Sequence, residues 1–217
     1  GTIGHGTWTP SRPGPDPVRV LVTGANGFAG RHLLAELLRR GDHEITAGGF
    51  SVPTIPEAEG WSSAAVRWVD LDVTSFESVC EAIRASQPER VYHLAGQASV
   101  GLSFEAPLLT WDVNATGTVR LLEALREQGF VSTRVLLISS AEVYGAVAQE
   151  DQPTREEAPM RPITPYGSSK AAAEVAGAQF AQGGMVEVVI ARSFNHTGPG
   201  QDAPFAIPGF ARQLARI

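Results

Sequence analysis

A chain of 217 residues, 43% hydrophobic and 18% charged, can bury a sizeable core in one or two domains and is too apolar to read as disordered. Its net charge of -6 gives no basic footprint for nucleic acid, and no apolar run approaches the length of a membrane span. The single cysteine, Cys80, excludes an internal disulfide framework and fits a reducing compartment, which points to the cytoplasm.

Residues 1–17 are rich in Gly, Pro and Thr and lack the basic and apolar regions of a signal peptide, so a flexible tail is expected. Val18–Thr23 is a β-branched run that ends at glycines. A helix follows over Phe28–Arg40, with Leu33, Leu34, Leu37 and Leu38 on one face and Gly41 as its stop. Strands are predicted at Glu44–Ala47 and Val66–Val69, separated by a surface loop over Gly48–Ala65. Ser75 is a good N-cap for a helix to Ser86 that carries Cys80 as a packed thiol. Arg90–Leu94 reads as the fourth strand. One long helix is expected from Thr110 to Gln128. Arg134–Ile138 is an unbroken apolar run that suits a strand buried on both faces. A long Pro-bearing connection, Gly145–Thr164, leads to a helix over Tyr166–Ala181 and a sixth strand at Val186–Ala191. This alternation predicts an α/β doubly wound parallel sheet, a Rossmann fold, over 18–194.

Between the first strand and the first helix stand Gly24, Gly27 and Gly30. The first permits a tight turn, the second lets a pyrophosphate approach the backbone, and the third lets the helix pack close to the sheet. With Asn26, Phe28 and Ala29 they form the candidate cofactor-binding turn, because the helix N-terminus offers unpaired N–H groups to phosphate. The end of the second strand, Ile45-Thr46-Ala47-Gly48-Gly49-Phe50-Ser51, has no acid to bind ribose hydroxyls. That tilts the expectation from NAD toward NADP. Arg31 or a loop residue is the candidate partner for a ribose phosphate.

Tyr166 and Lys170 stand four apart, on one helical face. A phenol with a pKa of about 10 is a poor base at neutral pH. A lysine ammonium and the nearby helix N-terminus are expected to favour the phenolate. Ser140, at the end of the fifth strand, is the candidate to hydrogen-bond a substrate oxygen, since parallel sheets bind ligands at the carboxyl ends of strands. Glu142 either abstracts a proton from carbon or holds the loop by hydrogen bonds. The bland alternative for the pair, a packed tyrosine and a solvated lysine, weakens once the three motifs occur in this order.

From Val18 onward the chain resembles the extended short-chain dehydrogenase/reductases of the nucleotide-sugar epimerase/dehydratase branch. The resemblance rests on Gly24-x-x-Gly27-x-x-Gly30, Leu71-Asp72-Val73-Thr74, His93 to Val100, Asn114-Ala115-Thr116-Gly117-Thr118, Ser139 to Gly145, Pro165 to Lys170 and Arg192 to Gln201. It implies that Asp72 and Val73 contact the adenine end of NADP or NAD, that Leu94, Ala95 and Gln97 line the cofactor, and that Tyr166 and Lys170 reach its nicotinamide end. It further implies that Ser99, Ser140 and Asn195 meet a nucleotide-sugar substrate, with Asn195 at the diphosphate, and that His93 is structural. Gln97–Glu105 and Thr110–Asn114 resemble GDP-mannose 4,6-dehydratases; Phe194–Gln201 is closer to GDP-4-keto-6-deoxymannose reductases. Other dehydratases of the branch carry an Asp where this chain has Ala141, which counts against dTDP-glucose-type dehydration but does not exclude GDP-mannose dehydratases, which lack that Asp too. The preferred reading is 4-keto reduction ahead of dehydration, with 4-epimerisation as a further alternative. The same resemblance implies a homodimer through 110–128 and 166–181, and a small C-terminal substrate lobe of which 195–217 would be the beginning. The alternative from another class is a dinucleotide-binding module without turnover. No nucleic-acid, membrane or metal partner is expected.

Overall fold

The computed structural model describes residues 16–50, 65–203 and 205–216. Most of the expected tail, and residues 51–64 of the expected loop, lie outside the described residues. Strands β1 (Val18–Thr23), β2 (His43–Gly49), β3 (Arg67–Asp70), β4 (Arg90–His93), β5 (Arg134–Ser140) and β6 (Glu187–Ser193) form one sheet in the order β3-β2-β1-β4-β5-β6. Every pairing is parallel. The chain winds outward from β1 through β2 to β3, then crosses back to β4 and winds the other way. The order therefore reverses between β1 and β4, which opens a crevice at their carboxyl ends.

Helix α1 (Phe28–Arg40) covers one face, packing Leu34 and Leu37 onto Val20, Val22, Ile45 and Ala47. Helices α2 (Phe76–Ser86), α5 (Gly117–Glu127) and α6 (Pro165–Gln182) cover the other, where Leu21, Val91, Val135 and Leu137 meet Ile83, Leu121, Leu125 and Phe180. Neighbouring residues of β1 thus face opposite cores, as the period-2 geometry of a strand requires. Ser75 caps α2 by accepting from the Ser78 N–H at 3.3 Å.

Three expectations change. The strand β5 is fully buried on one face only: Val135, Leu137 and Ser139 are buried, while Leu136, Ile138 and Ser140 are half-buried. The helix on that face, α1, packs mainly on β1 and β2. The long helix starts earlier and is interrupted. A short α3 (Val100–Glu105) and α4 (Pro107–Trp111) lead into a π-helical turn over Asp112–Thr116 before α5. Finally β5 and β6 run to Ser140 and Ser193, which pair with each other and carry the strands past the apolar run into the site. The last element, α7 (Ala206–Leu214), exposes Ile207, Phe210 and Leu214.

Candidate active site

The glycine turn can be made only by glycine. Gly24 has φ +64°, and a Cβ there would lie 2.6 Å from the Ala95 nitrogen. A Cβ on Gly30 would lie 2.5 Å from the Gly24 carbonyl oxygen. These approaches bring the ends of β1 and β4 and the start of α1 together. Gly27 is the N-cap of α1 and no side chain caps it, so the first-turn N–H groups remain unpartnered by side chains and face an incoming anion. From this turn a cavity of about 460 Å3 runs along the strand ends. Its walls include Asn26, Gly49, Asp72, Val73, Leu94, Ala95 and Gln97. A cleft of this size with bare helix N–H groups at its centre fits a dinucleotide with its pyrophosphate on the glycines. The Asp72 carboxylate accepts from the Thr74 N–H and hydroxyl at 2.8 and 2.7 Å, which fixes the loop that forms the cavity's outer wall.

Two buried networks hold this crevice. His93 lies between Thr23, 2.8 Å from Nδ1, and Thr118, 3.2 Å from Nε2. The Thr23 hydroxyl also accepts from the Ala95 N–H at 3.1 Å, so β1, β4 and α5 are tied at the reversal point. Burial, helped by the charge of Lys170, pushes His93 down to about 3, so its imidazole stays neutral in a structural position. The second network centres on Asn114 in the π turn. Its side chain accepts from the Gln97 N–H at 2.8 Å, donates to the Gln97 carbonyl at 3.1 Å and donates to the Ser169 hydroxyl at 3.0 Å. One buried amide therefore joins the cofactor wall to the helix that carries Tyr166 and Lys170. A π turn inside a helix is a frequent mark of such a site.

Ser140, Glu142 and Tyr166 line a second cavity of about 500 Å3, together with the glycine turn and the loop after β6. Thr164 caps α6 by accepting from the Gly167 N–H at 2.9 Å, and Tyr166 sits in the first turn. The Ser140 hydroxyl accepts from the Glu142 N–H at 3.2 Å and stands beside the Tyr166 phenol, whose pKa it acts to lower. Burial raises Tyr166 above its ordinary value and the nearby Glu142 charge adds to this, outweighing Ser140. The expected phenolate is thus not the favoured form. Lys170 does not offset this: its Nζ donates to the Ile138 carbonyl at 2.9 Å and lies 6.0 Å from the centre of the Tyr166 ring. Burial pushes Lys170 itself down to about 8.

Behind Ser140, α6 is bolted to the sheet. Glu174 takes three bonds from Arg192 on β6, at 2.9, 3.1 and 2.8 Å, and one from the Ser139 hydroxyl. Arg192 also donates to the Tyr144 hydroxyl at 2.9 Å and to the Glu156 carbonyl at 2.7 Å. It thereby grips the long connection between Ser140 and Tyr166.

The fold gathers the expected residues into these two adjoining cavities. Gly24, Asn26, Gly27, Asp72, Val73, Leu94, Ala95 and Gln97 line the first. Phe28, Ala29, Gly30, Ser140, Glu142, Tyr166 and Asn195 line the second. Lys170 stands behind both, and a Cβ on Gly96 would lie 3.3 Å from its Nζ. Ser99 lines neither. It is the N-cap of α3, accepting from the Leu102 N–H at 3.2 Å, and its own N–H donates to the Gln97 side chain. Arg31 does not turn toward the end of β2; it reaches Gly200 on the loop after β6. Gly49 at that end is covered by the Asn26 side chain instead. Sequence reasoning quoted Asn114 and Arg192 within motifs but gave them no role, and missed Glu174, which repeats the Tyr166–Lys170 spacing one turn further along α6.

A parallel sheet that reverses at a glycine turn, with Ser140, Tyr166 and Lys170 beside that turn, defines an extended short-chain dehydrogenase/reductase. A family model described as GDP-mannose 4,6 dehydratase matches residues 21–217, and the chain belongs to that family. The chain is 37% identical to a GDP-6-deoxy-D-mannose reductase of Pseudomonas aeruginosa over 204 residues, which are 92% of this chain and 59% of the relative. Among solved structures it resembles RMD from Pseudomonas aeruginosa complexed with NADPH, with a TM-score of 0.74 and 36% identity over 94% of this chain and 61% of the other. It also resembles a UDP-glucose 4-epimerase from Thermus thermophilus in complex with NAD, with a TM-score of 0.79 and 35% identity over 91% and 61%. The chain therefore spans about three fifths of the length of these relatives.

Proposed function

We propose that the chain is the NAD(P)-binding part, over 18–194, of an oxidoreductase that reduces a 4-keto-6-deoxy nucleotide sugar, with 195–217 opening the substrate lobe. The observation that carries this reading is geometric: Ser140 and Tyr166 line one cavity together with the glycine turn. The bound dinucleotide would supply the hydride for C4 of the sugar. Tyr166 would give its proton to the C4 oxygen, and a phenol that burial holds neutral is in the form this step needs. Ser140 would orient that oxygen. Lys170, with its pKa near 8, is mostly an ammonium at neutral pH and would hold the ribose hydroxyls beside Gly96. Asn195, in the second cavity, would meet the substrate diphosphate. The absence of an acid at the end of β2 favours NADPH, in keeping with the NADPH-bound RMD neighbour. The assembly would be a homodimer through 110–128 and 166–181.

Glu142 supports a second reading, GDP-mannose dehydration. It lines the same cavity and its charge acts on Tyr166, so it could take a proton from carbon. Supplying NADPH with GDP-4-keto-6-deoxymannose, and separately GDP-mannose with oxidised cofactor, distinguishes reduction from dehydration. Tyr166→Phe is expected to lower turnover by about 100-fold or more while NADPH affinity changes little. Normal turnover in that variant would overturn the mechanism.

A further inference from the structure

Three side chains on one face of the first turns of α1 reach across to the loop that follows β6. Arg31 Nη2 donates to the Gly200 carbonyl at 2.8 Å. His32 Nε2 lies 3.0 Å from the Pro199 carbonyl, which only a protonated Nε2 can satisfy. Phe28 stacks on His196 at 6.1 Å and 11°, and meets the His32 ring edge-on at 5.1 Å. The loop's other hydrogen bonds are local, from Gln201 N–H to Gly198 and between His196 and Phe194. Among the described residues, Arg31 and His32 thus supply the only hydrogen bonds that tie residues 194–201 of this exposed loop to another element. The seam is also incompletely paired. Arg31 Nε and Gln201 Oε1 are buried without a hydrogen-bond partner, a state that a native protein rarely keeps without a use for it.

The position of this seam matters because α1 serves both cavities. Its bare N–H groups face the glycine turn, and one turn later its side chains hold the loop after β6, which carries Asn195. We propose that Arg31 and His32 are positioning residues that couple the two sites, so that a dinucleotide pyrophosphate anchored on α1 fixes the 195–200 loop for a nucleoside-diphosphate sugar. This rests on the reading of the second cavity as the nucleotide-sugar site. Coupling of this kind is reciprocal: each ligand must tighten the other by the same factor.

The test uses the full chain, with NADPH and GDP-mannose as probes in titration calorimetry. In the wild type, saturating NADPH is expected to tighten GDP-mannose at least about fivefold, and in Arg31→Met/His32→Leu the tightening should fall below about twofold. NADPH binding alone should be nearly unchanged in the variant, which also reports that it is folded. Arg31→Lys and His32→Gln keep a donor at each position and should restore most of the coupling. Hydrogen exchange gives a second readout: NADPH should slow exchange of the 195–201 amides in the wild type and not in the double variant. Retention of both effects in the double variant would overturn the proposal. If NADPH leaves GDP-mannose affinity unchanged in the wild type, the coupling alone fails. If GDP-mannose does not bind under any condition, the nucleotide-sugar reading fails, and the substrate half of the coupling fails with it.

Discussion

Lys170 Nζ is directed at the Ile138 carbonyl, and the apolar surroundings that hold it there lower its pKa from 10.5 to about 8. The unfolded chain keeps this proton up to about 10.5, while the folded chain gives it up near 8. Between those values the unfolded state binds more protons, so stability rises with pH across that window. Below pH 8 both states are protonated and the burial cost is felt in full. Denaturant midpoints for the wild type and Lys170→Met, measured from pH 7 to pH 10, should show the wild type gaining on the variant as pH rises past 8. A constant gap would mean that Lys170 is not desolvated. Sequence reasoning located the residue but expected its charge to set the Tyr166 pKa. The difference is physical: helical spacing puts two residues on one face, but the direction of a long side chain depends on partners such as Ile138, which lies 32 positions away.

At the scale of elements, the Glu174–Arg192 pair is what joins α6 to the carboxyl ends of β5 and β6. Glu174 is 5% exposed and Arg192 20% exposed at the side chain, so removing one partner leaves a largely desolvated charge. Glu174→Ala is expected to cost about 3 kcal/mol, with Glu174→Gln costing less because it still receives the Ser139 hydroxyl. The double variant Glu174→Leu/Arg192→Met should cost less than the sum of its singles, since no unpaired charge remains. Additive losses in urea unfolding would show that the two side chains act independently. Strands, helices and caps such as Ser75 were legible because local patterns determine them. The π turn was not. Nothing local in Asp112–Thr116 marks it, and the Asn114 it carries bonds Gln97 and Ser169, 17 and 55 positions away. The capping role of Ser99 was hidden because α3 is only six residues long.

Across the whole molecule, the glycines and the Ser140–Tyr166–Lys170 set were legible because each requires a particular residue type at a fixed spacing. The surface was legible only as composition. Helices α4 and α5 each pack against α6, and this group exposes Leu108 at 85%, Trp111 at 41% and Val175 at 60%. Together with Val119 on α5, 38% exposed, these are apolar side chains on neighbouring helices on the side of the sheet away from α1. The small residues Ala171, Ala172, Ala176 and Ala178 of α6 allow close approach of another helix. A stable interface needs about 800 Å2 from each partner, which two helices of this length can provide. The α1 side is occupied by the glycine turn and the loop after β6, so a dimer through α5 and α6 would leave both cavities open. Sedimentation at micromolar concentration should give twice the chain mass for the wild type, and Leu108→Glu/Val175→Arg should shift it to the monomer. NADPH affinity should survive in that variant, because neither side chain lines the two cavities. A monomeric wild type, or a dimer indifferent to both charges, would place the association surface elsewhere.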